Sequence, residues 1–287
     1  MVASVALSID GRELEVAPGS TLREACREAA VEIPTLCFNP NFSPANACRL
    51  CVVELEGART LVPACSRAVE PGMKILTGSE RVRLSRRLVL EFLASSVDLS
   101  LATDLQPLLA EYGAKPERFA SDEAATVRQP VKVDNELYVR DYSKCVLCYR
   151  CVQACGSEAQ NTFAIWVSGR GFEARIATEF DAPLPDSACV YCGNCIEVCP
   201  TGALMFKTEF DLRESGSWAE ERQHTTTTIC PYCGVGCNLD LVVQDNRVVR
   251  VNSPASHEIT HGNLCIKGRF GSQPLIRVRT SKSEANS

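Results

Sequence analysis

Aromatic side chains are scarce in this chain of 287 residues, at 6% of the total. One large core built on aromatic packing is therefore not expected. Two to four small cores, some stapled by bound metal, suit the length better. An excess of basic charge is also missing. Thirty Lys and Arg against 35 Asp and Glu leave a formal net charge of −5, which argues against a nucleic-acid partner. No run approaches the roughly eighteen apolar residues of a membrane span. The opening stretch MVASVALSIDGRELEV has no basic segment leading into a long apolar one, so no signal peptide and a cytoplasmic location are expected. Neither G-x-G-x-x-G after a strand nor a phosphate-binding G-x-x-x-x-G-K-[ST] occurs, so no nicotinamide or flavin site is expected. The histidines His224, His257 and His261 are scattered. With no Ser/His/Asp or paired-carboxylate constellation, no catalytic residue is expected.

Cysteine, by contrast, is abundant. Seventeen cysteines without an export signal point to metal in a reducing compartment; the odd count fits disulfides poorly. Sixteen fall into four groups of four. Cys37, Cys48, Cys51 and Cys65 form C-x10-C-x2-C-x13-C. Cys145, Cys148, Cys151 and Cys155 form C-x2-C-x2-C-x3-C, and Cys189, Cys192, Cys195 and Cys199 repeat it. Cys230, Cys233, Cys237 and Cys265 form C-x2-C-x3-C-x27-C. A short C-x2-C-x2-C loop can curl round one face of an iron–sulfur cube, and the fourth thiolate arrives from elsewhere. Zinc is the competing metal, but its tetrahedral sites are usually built from two C-x2-C knuckles rather than a triplet plus one. The seventeenth cysteine, Cys26, lies on an apolar helical face and reads as a small buried hydrophobe.

Local patterns order the chain. Residues 2–9 and 12–16 read as a hairpin turning at Asp10-Gly11. Ser20 or Thr21 can cap a helix whose apolar face is Leu22, Ala25, Cys26 and Ala29. Strands are expected at 51–55, 60–64 and 73–76, and an amphipathic helix at 79–96. A β-prone insertion (162–167 and 172–178) separates the two C-x2-C-x2-C-x3-C runs. Residues 211–227 (DLRESGSWAEERQHTTT) are polar and read as a linker. Two more strands, 239–243 and 248–251, turn at Asp245-Asn246.

The doubled run resembles two-cluster ferredoxins, in which the fourth cysteine of each run ligates the other cluster. Carried over, that places Cys145, Cys148, Cys151 and Cys199 round one 4Fe–4S cluster. Cys189, Cys192, Cys195 and Cys155 surround another. Pro200 follows Cys199 as in that signature, whereas Gly156 follows Cys155. The segment PTLCFNPNFSPANACRLCVVE resembles the 2Fe–2S domain of the large iron–sulfur subunit of NADH dehydrogenase (complex I). It is similar also to matching domains of NAD-linked hydrogenases and formate dehydrogenases. That resemblance implies a β-grasp fold and a 2Fe–2S cluster on Cys37, Cys48, Cys51 and Cys65. ICPYCGVGCNLDLVV and GNLCIKGRFG resemble the N-terminal cluster domain of molybdopterin oxidoreductases, formate dehydrogenases especially. This implies a 4Fe–4S cluster on Cys230, Cys233, Cys237 and Cys265, with Lys267 between cluster and pterin. CVQACGSEAQNTFAIWVSGRGFEARI also resembles formate dehydrogenase alpha subunits.

The expected fold is therefore α+β and multi-domain. A β-grasp 2Fe–2S ferredoxin-like domain spans 1–78 and a helical linker 79–130. A bacterial-type 2x4Fe–4S ferredoxin domain spans 131–212, and a small molybdopterin-oxidoreductase-type 4Fe–4S domain 225–275. A polar tail closes the chain at 276–287. Two features of these families are missing. The stretch that would carry a histidine-ligated 4Fe–4S cluster has neither cysteine nor histidine, and the chain ends at Ser287, without room for a molybdopterin catalytic domain. The expected function is that of an electron-transfer subunit of a soluble NAD(P)-linked oxidoreductase complex of the formate dehydrogenase or hydrogenase type. Its partners would be a flavin/NAD(P)-binding subunit and a catalytic oxidoreductase subunit. Two alternatives stand beside this: the separated N-terminal part of a split molybdenum or tungsten formate dehydrogenase alpha subunit, and a zinc-scaffolded interaction module.

Overall fold

The computed structural model describes residues 4–121 and 129–273; the expected tail at 276–287 lies outside them. The chain divides into two bodies. Among the described residues, the first holds 4–121 and 144–149, and the second 129–143 and 150–273.

In the first body, strands β1 (Val5–Ile9) and β2 (Arg12–Val16) pair antiparallel. Asp10 and Gly11 between them both have positive φ, 49° and 81°. Two such residues give the turn whose twist matches a two-residue hairpin. Helix α1 (Leu22–Glu28) follows. Thr21 Oγ1 accepts from the Glu24 amide at 3.2 Å, and the Glu24 carboxylate accepts from the Thr21 amide at 2.7 Å. This reciprocal box satisfies two otherwise orphaned donors. Leu22, Ala25, Cys26 and Ala29 all face the core. Strands β3 (Val52–Leu55), β4 (Val62–Pro63) and β5 (Lys74–Leu76) complete a mixed sheet of order β2-β1-β5-β3-β4. Only its β1–β5 pair is parallel.

Helix α2 (Glu80–Ser96) starts at Ser79, whose hydroxyl accepts from the Val82 amide. Helix α3 (Gln106–Tyr112) ends at Gly113 in the left-handed region, φ 58°. The buried Arg86 of α2 donates to Leu50 O (3.1 Å), Val52 O (2.9 Å) and the Tyr112 hydroxyl (2.8 Å). One guanidinium thus ties both helices to the backbone on either side of Cys51. A second small core forms beside it, with Leu36, Cys37, Leu50, Leu90, Leu105 and Cys148 at its centre.

The second body contains β6 (Tyr138–Arg140), α4 (Arg150–Cys155), β7 (Trp166–Ser168), β8 (Arg175–Ala177), α5 (Asn194–Glu197) and β9 (Leu204–Phe206). Next come α6 (Lys207–Glu214), β10 (Gln223–Ile229), β11 (Asn238–Gln244), β12 (Arg247–Asn252) and α7 (Ile266–Phe270). β6 pairs with β9 and β7 with β8, both antiparallel; β10, β11 and β12 make a three-stranded antiparallel sheet. The polar stretch 211–227 is not a free linker. Its first part completes α6. Its last part begins β10, which pairs with β11 along its whole length, from Gln223 to Ile229. Between them Trp218 lies beneath the guanidinium groups of Arg213 and Arg250, at 4.7 and 5.1 Å. Gln244 accepts from the Ala219 amide and donates to Ser217 O. Backbone pairing and a buried glutamine order a segment whose side chains show no apolar period.

Candidate iron–sulfur centres

The N-terminal group sits where β3 leaves the cysteine loop. Cys37, Cys51 and Cys65 are buried and Cys48 is half-buried. Asn46 and Arg49 take left-handed backbone, φ 55° and 59°, and bend the loop back on itself. The four thiols form two pairs. The Cys37 amide donates to Cys48 Sγ at 3.4 Å and the Cys48 amide to Cys37 Sγ at 3.5 Å. Cys51 and Cys65 bring their Sγ atoms to 3.4 Å. Contact with the Cys37 thiol, followed by backbone amides, lowers Cys48; contact with Cys65 lowers Cys51. Their partners Cys37 and Cys65 are pushed up instead. Two thiolates on one tetrahedral metal with bonds near 2.3 Å lie roughly 3.8 Å apart, so two close pairs fit two irons. Asn46, which sequence reasoning missed, accepts from Cys65 Sγ and from the Ser66 hydroxyl, tying the loop to the fourth cysteine.

In the second body, Cys155, Cys189, Cys192 and Cys195 line one pocket with Tyr138, Arg140 and Leu204. Three come from the 189–199 loop, where Tyr191 and Gly193 have φ of 54° and 73°. The fourth arrives at the end of α4. Burial, then the nearby Cys192, Cys155 and Cys189, push Cys195 well above the thiol range. Crowded thiols held out of water suit a cationic metal group, which offsets both penalties. Tyr138 Oη lies 2.9 Å from Cys189 Sγ, and the Ala164 amide donates to Cys155 Sγ at 3.2 Å. Of the remaining cysteines, Cys151 is buried on α4 and Cys199 sits beside Thr201, with both in the second body; Cys145 and Cys148 belong to the first.

The terminal group gathers at the sheet end formed by β10 and β11. Burial raises Cys237, with Cys230, Cys233 and Cys265 adding to the effect. Cys230 is buried, whereas Cys233 and Cys265 are exposed. The Cys230 amide donates to Cys237 O at 2.8 Å. Cys265 precedes α7, on which Lys267 is exposed and Arg269 is fully buried. Arg269 pairs with Glu197 and donates to Val251 O (2.9 Å), Asn194 Oδ1 (3.2 Å) and Cys192 O (3.4 Å). Asn194 Oδ1 also accepts from the Leu264 amide. Gly193 permits this approach, since a Cβ there would stand 2.9 Å from Arg269 Cγ. No sequence pattern marked this node, because Glu197, Asn194 and Cys192 lie more than seventy residues from Arg269 along the chain.

His224 is exposed on β10, and His257 Nδ1 bonds the Thr260 hydroxyl at 2.7 Å within its own turn. Among the described residues, no three His, Cys, Asp or Glu side chains converge closely enough to hold a single metal ion.

Comparison with known proteins gives three successive family matches. Residues 2–80 match the 2Fe-2S iron-sulfur cluster binding domain. Residues 136–205 match the NADH-quinone oxidoreductase subunit 3, ferredoxin-like domain, and residues 223–275 the molybdopterin oxidoreductase Fe4S4 domain. The alpha subunit of NADPH-Fe(3+) oxidoreductase from Geobacter sulfurreducens is 35% identical over 93% of this chain and 31% of its own length. A putative formate dehydrogenase of Staphylococcus haemolyticus is 28% identical over 94% of this chain and 32% of its own. This chain belongs with the N-terminal iron–sulfur region of these oxidoreductases. It spans about a third of the length of these curated relatives. A chain in the crystal structure of NAD+-reducing [NiFe]-hydrogenase in the H2-reduced state aligns with a TM-score of 0.62 and 29% identity. The alignment covers 71% of this chain and 88% of that one. Within the iron–sulfur region, no helix among the described residues is long and apolar enough to cross a membrane.

Proposed function

We propose that the chain relays single electrons within an NAD(P)-linked oxidoreductase of the formate dehydrogenase or hydrogenase type. It would stand between a flavin/NAD(P)-binding subunit and a catalytic oxidoreductase subunit, in the cytoplasm. Cys37, Cys48, Cys51 and Cys65 would hold a 2Fe–2S cluster in a β-grasp domain. Cys155, Cys189, Cys192 and Cys195 would hold one 4Fe–4S cluster, and Cys145, Cys148, Cys151 and Cys199 another. Cys230, Cys233, Cys237 and Cys265 would hold a third, with Lys267 beside it. When bound, such clusters take up and release one electron at a time without breaking bonds. The chain's own groups fix their spacing, exclude water and place hydrogen bonds on the sulfurs.

The observation that carries this reading is the pocket joining Cys155 to Cys189, Cys192 and Cys195. Cysteines from two separate runs meet there, as a pair of interlocked clusters requires. Thiolates spread over a cube's corners also stand too far apart to share one zinc ion, consistent with the lack of any single-ion site among the described residues. Anaerobic purification tests it: about fourteen iron atoms per chain are expected for one 2Fe–2S and three 4Fe–4S clusters. Cys155→Ala should remove or convert one 4Fe–4S signal in electron paramagnetic resonance (EPR) spectra and spare the 2Fe–2S signal. Little iron, or zinc in its place, would return the zinc-scaffold reading. The partners are tested by co-purification with a flavin subunit.

A second reading, the N-terminal part of a split formate dehydrogenase alpha subunit, is favoured by the match to a protein named as a putative formate dehydrogenase over about a third of its length. It expects a neighbouring reading frame with a pterin-binding sequence that lacks its own cluster domain.

A further inference from the structure

We propose that Tyr138 sets the redox potential of the cluster held by Cys155, Cys189, Cys192 and Cys195, through a hydrogen bond from its hydroxyl to Cys189 Sγ. The inference rests on the cluster reading of those four cysteines.

The hydroxyl oxygen lies 2.9 Å from the sulfur. Between a phenol and a free thiol either atom could donate. A metal-bound thiolate has no proton, so the phenol donates and the sulfur accepts. Tyr138 is 2% exposed, and water does not compete for the bond. Its ring is held on several sides. Phe270 stacks on it at 6.2 Å and Tyr191 meets it edge-on at 6.0 Å. Its own backbone is fixed by pairing with Phe206 on β9 and by Asn135, which accepts from the Tyr138 amide and donates to its carbonyl. The hydroxyl is therefore aimed by the fold.

The direction of the effect follows from charge. Reduction adds one electron to the cluster and its sulfur ligands and breaks no bond. A donor to a ligand sulfur stabilises the more negative, reduced state more than the oxidised one, and more strongly in a dry site. The hydroxyl thus raises this cluster's potential relative to the same site without it. Arg140 lines the same pocket, but its charge is common to the native chain and to a variant that loses only the hydroxyl, so the comparison isolates the bond.

The test is Tyr138→Phe in the full chain, purified anaerobically and titrated electrochemically with EPR detection. One 4Fe–4S couple is expected to move to lower potential by roughly tenfold in its one-electron equilibrium constant, or 59 mV. The other clusters should hold their potentials and the iron content should be unchanged. An unmoved couple at full iron content, or an upward shift, overturns the proposal. The unmodified chain gives a readout that does not depend on the variant folding. Exchange into D2O should shift an iron–sulfur stretching band in resonance Raman spectra, because the exchangeable phenol proton is hydrogen-bonded to a ligand sulfur. The absence of any such shift in an iron-replete chain also overturns it. Lack of iron would instead overturn the cluster reading itself, so the two failures are distinguishable.

Discussion

Replacing Arg269 with methionine should loosen the terminal cysteine group from the 189–199 loop. The side chain is fully buried, and its ion pair with Glu197 is supported by bonds to Val251 O, Asn194 Oδ1 and Cys192 O. Methionine roughly conserves volume but leaves the half-buried Glu197 without the cation it pairs with. Removing one partner of a buried pair costs about 3–5 kcal/mol. The lost bonds to neutral acceptors overlap with that figure and are not added to it. A loss of about 4 kcal/mol is close to a thousandfold in the local opening equilibrium. Burial already raises the Glu197 pKa despite Arg269, and removing Arg269 raises it further. A carboxyl whose folded pKa lies above its unfolded value destabilises the fold increasingly as pH rises through the folded pKa. The penalty should therefore shrink as pH falls through the folded pKa. Because a multi-domain metalloprotein does not melt in two states, native-state hydrogen exchange is the assay. Amides in β12 and α7 should exchange faster in Arg269→Met, while those in β1 and β5 keep their rates. Arg269→Met/Glu197→Gln should recover part of the protection, since an amide is cheaper to bury than a carboxylate. Unchanged exchange in the single variant, or no recovery in the double one, would refute the reasoning.

Arg86→Met removes three hydrogen bonds that hold α2 and α3 on the backbone flanking Cys51. A cost of about 2–4 kcal/mol is expected, read as loss of the visible circular dichroism of the N-terminal cluster at a lower temperature. Cys26 is fully buried, and burial pushes its thiol up to about 11. Iodoacetamide at pH 8 should leave it unlabelled until the chain is unfolded, and Cys26→Ala should retain full iron content.

Much of this architecture can be read along the chain where one local rule acts alone. The hairpin at Asp10-Gly11, the box at Thr21 and Glu24, and the α1 face of Leu22, Ala25, Cys26 and Ala29 all follow from residues within one or two turns of each other. The cysteine groups are legible for the same reason, since ligand spacing is a short-range constraint. Strand β10 was not legible. Its threonines face solvent, and only its backbone partner β11, some ten residues on, makes it a strand. Asn46, Tyr138 and Arg269 were missed on a larger scale. Each acts on a group brought close by folding, with 19 residues separating Asn46 from Cys65, 51 separating Tyr138 from Cys189, and 72 separating Arg269 from Glu197.

The small core shared by Cys37 and Cys148 bears on synthesis of the chain. By residue 121 a ribosome has delivered all four N-terminal cysteines, the five-stranded sheet and helices α1, α2 and α3 of the first body. It has not yet delivered Val146 and Cys148, which complete the apolar cover around Leu36 and Leu50. Until then the N-terminal cysteine loop lacks that part of its apolar cover. The cover is completed only when the leading half of the next cysteine run emerges, so the two cysteine runs share one core although a long stretch of chain separates them.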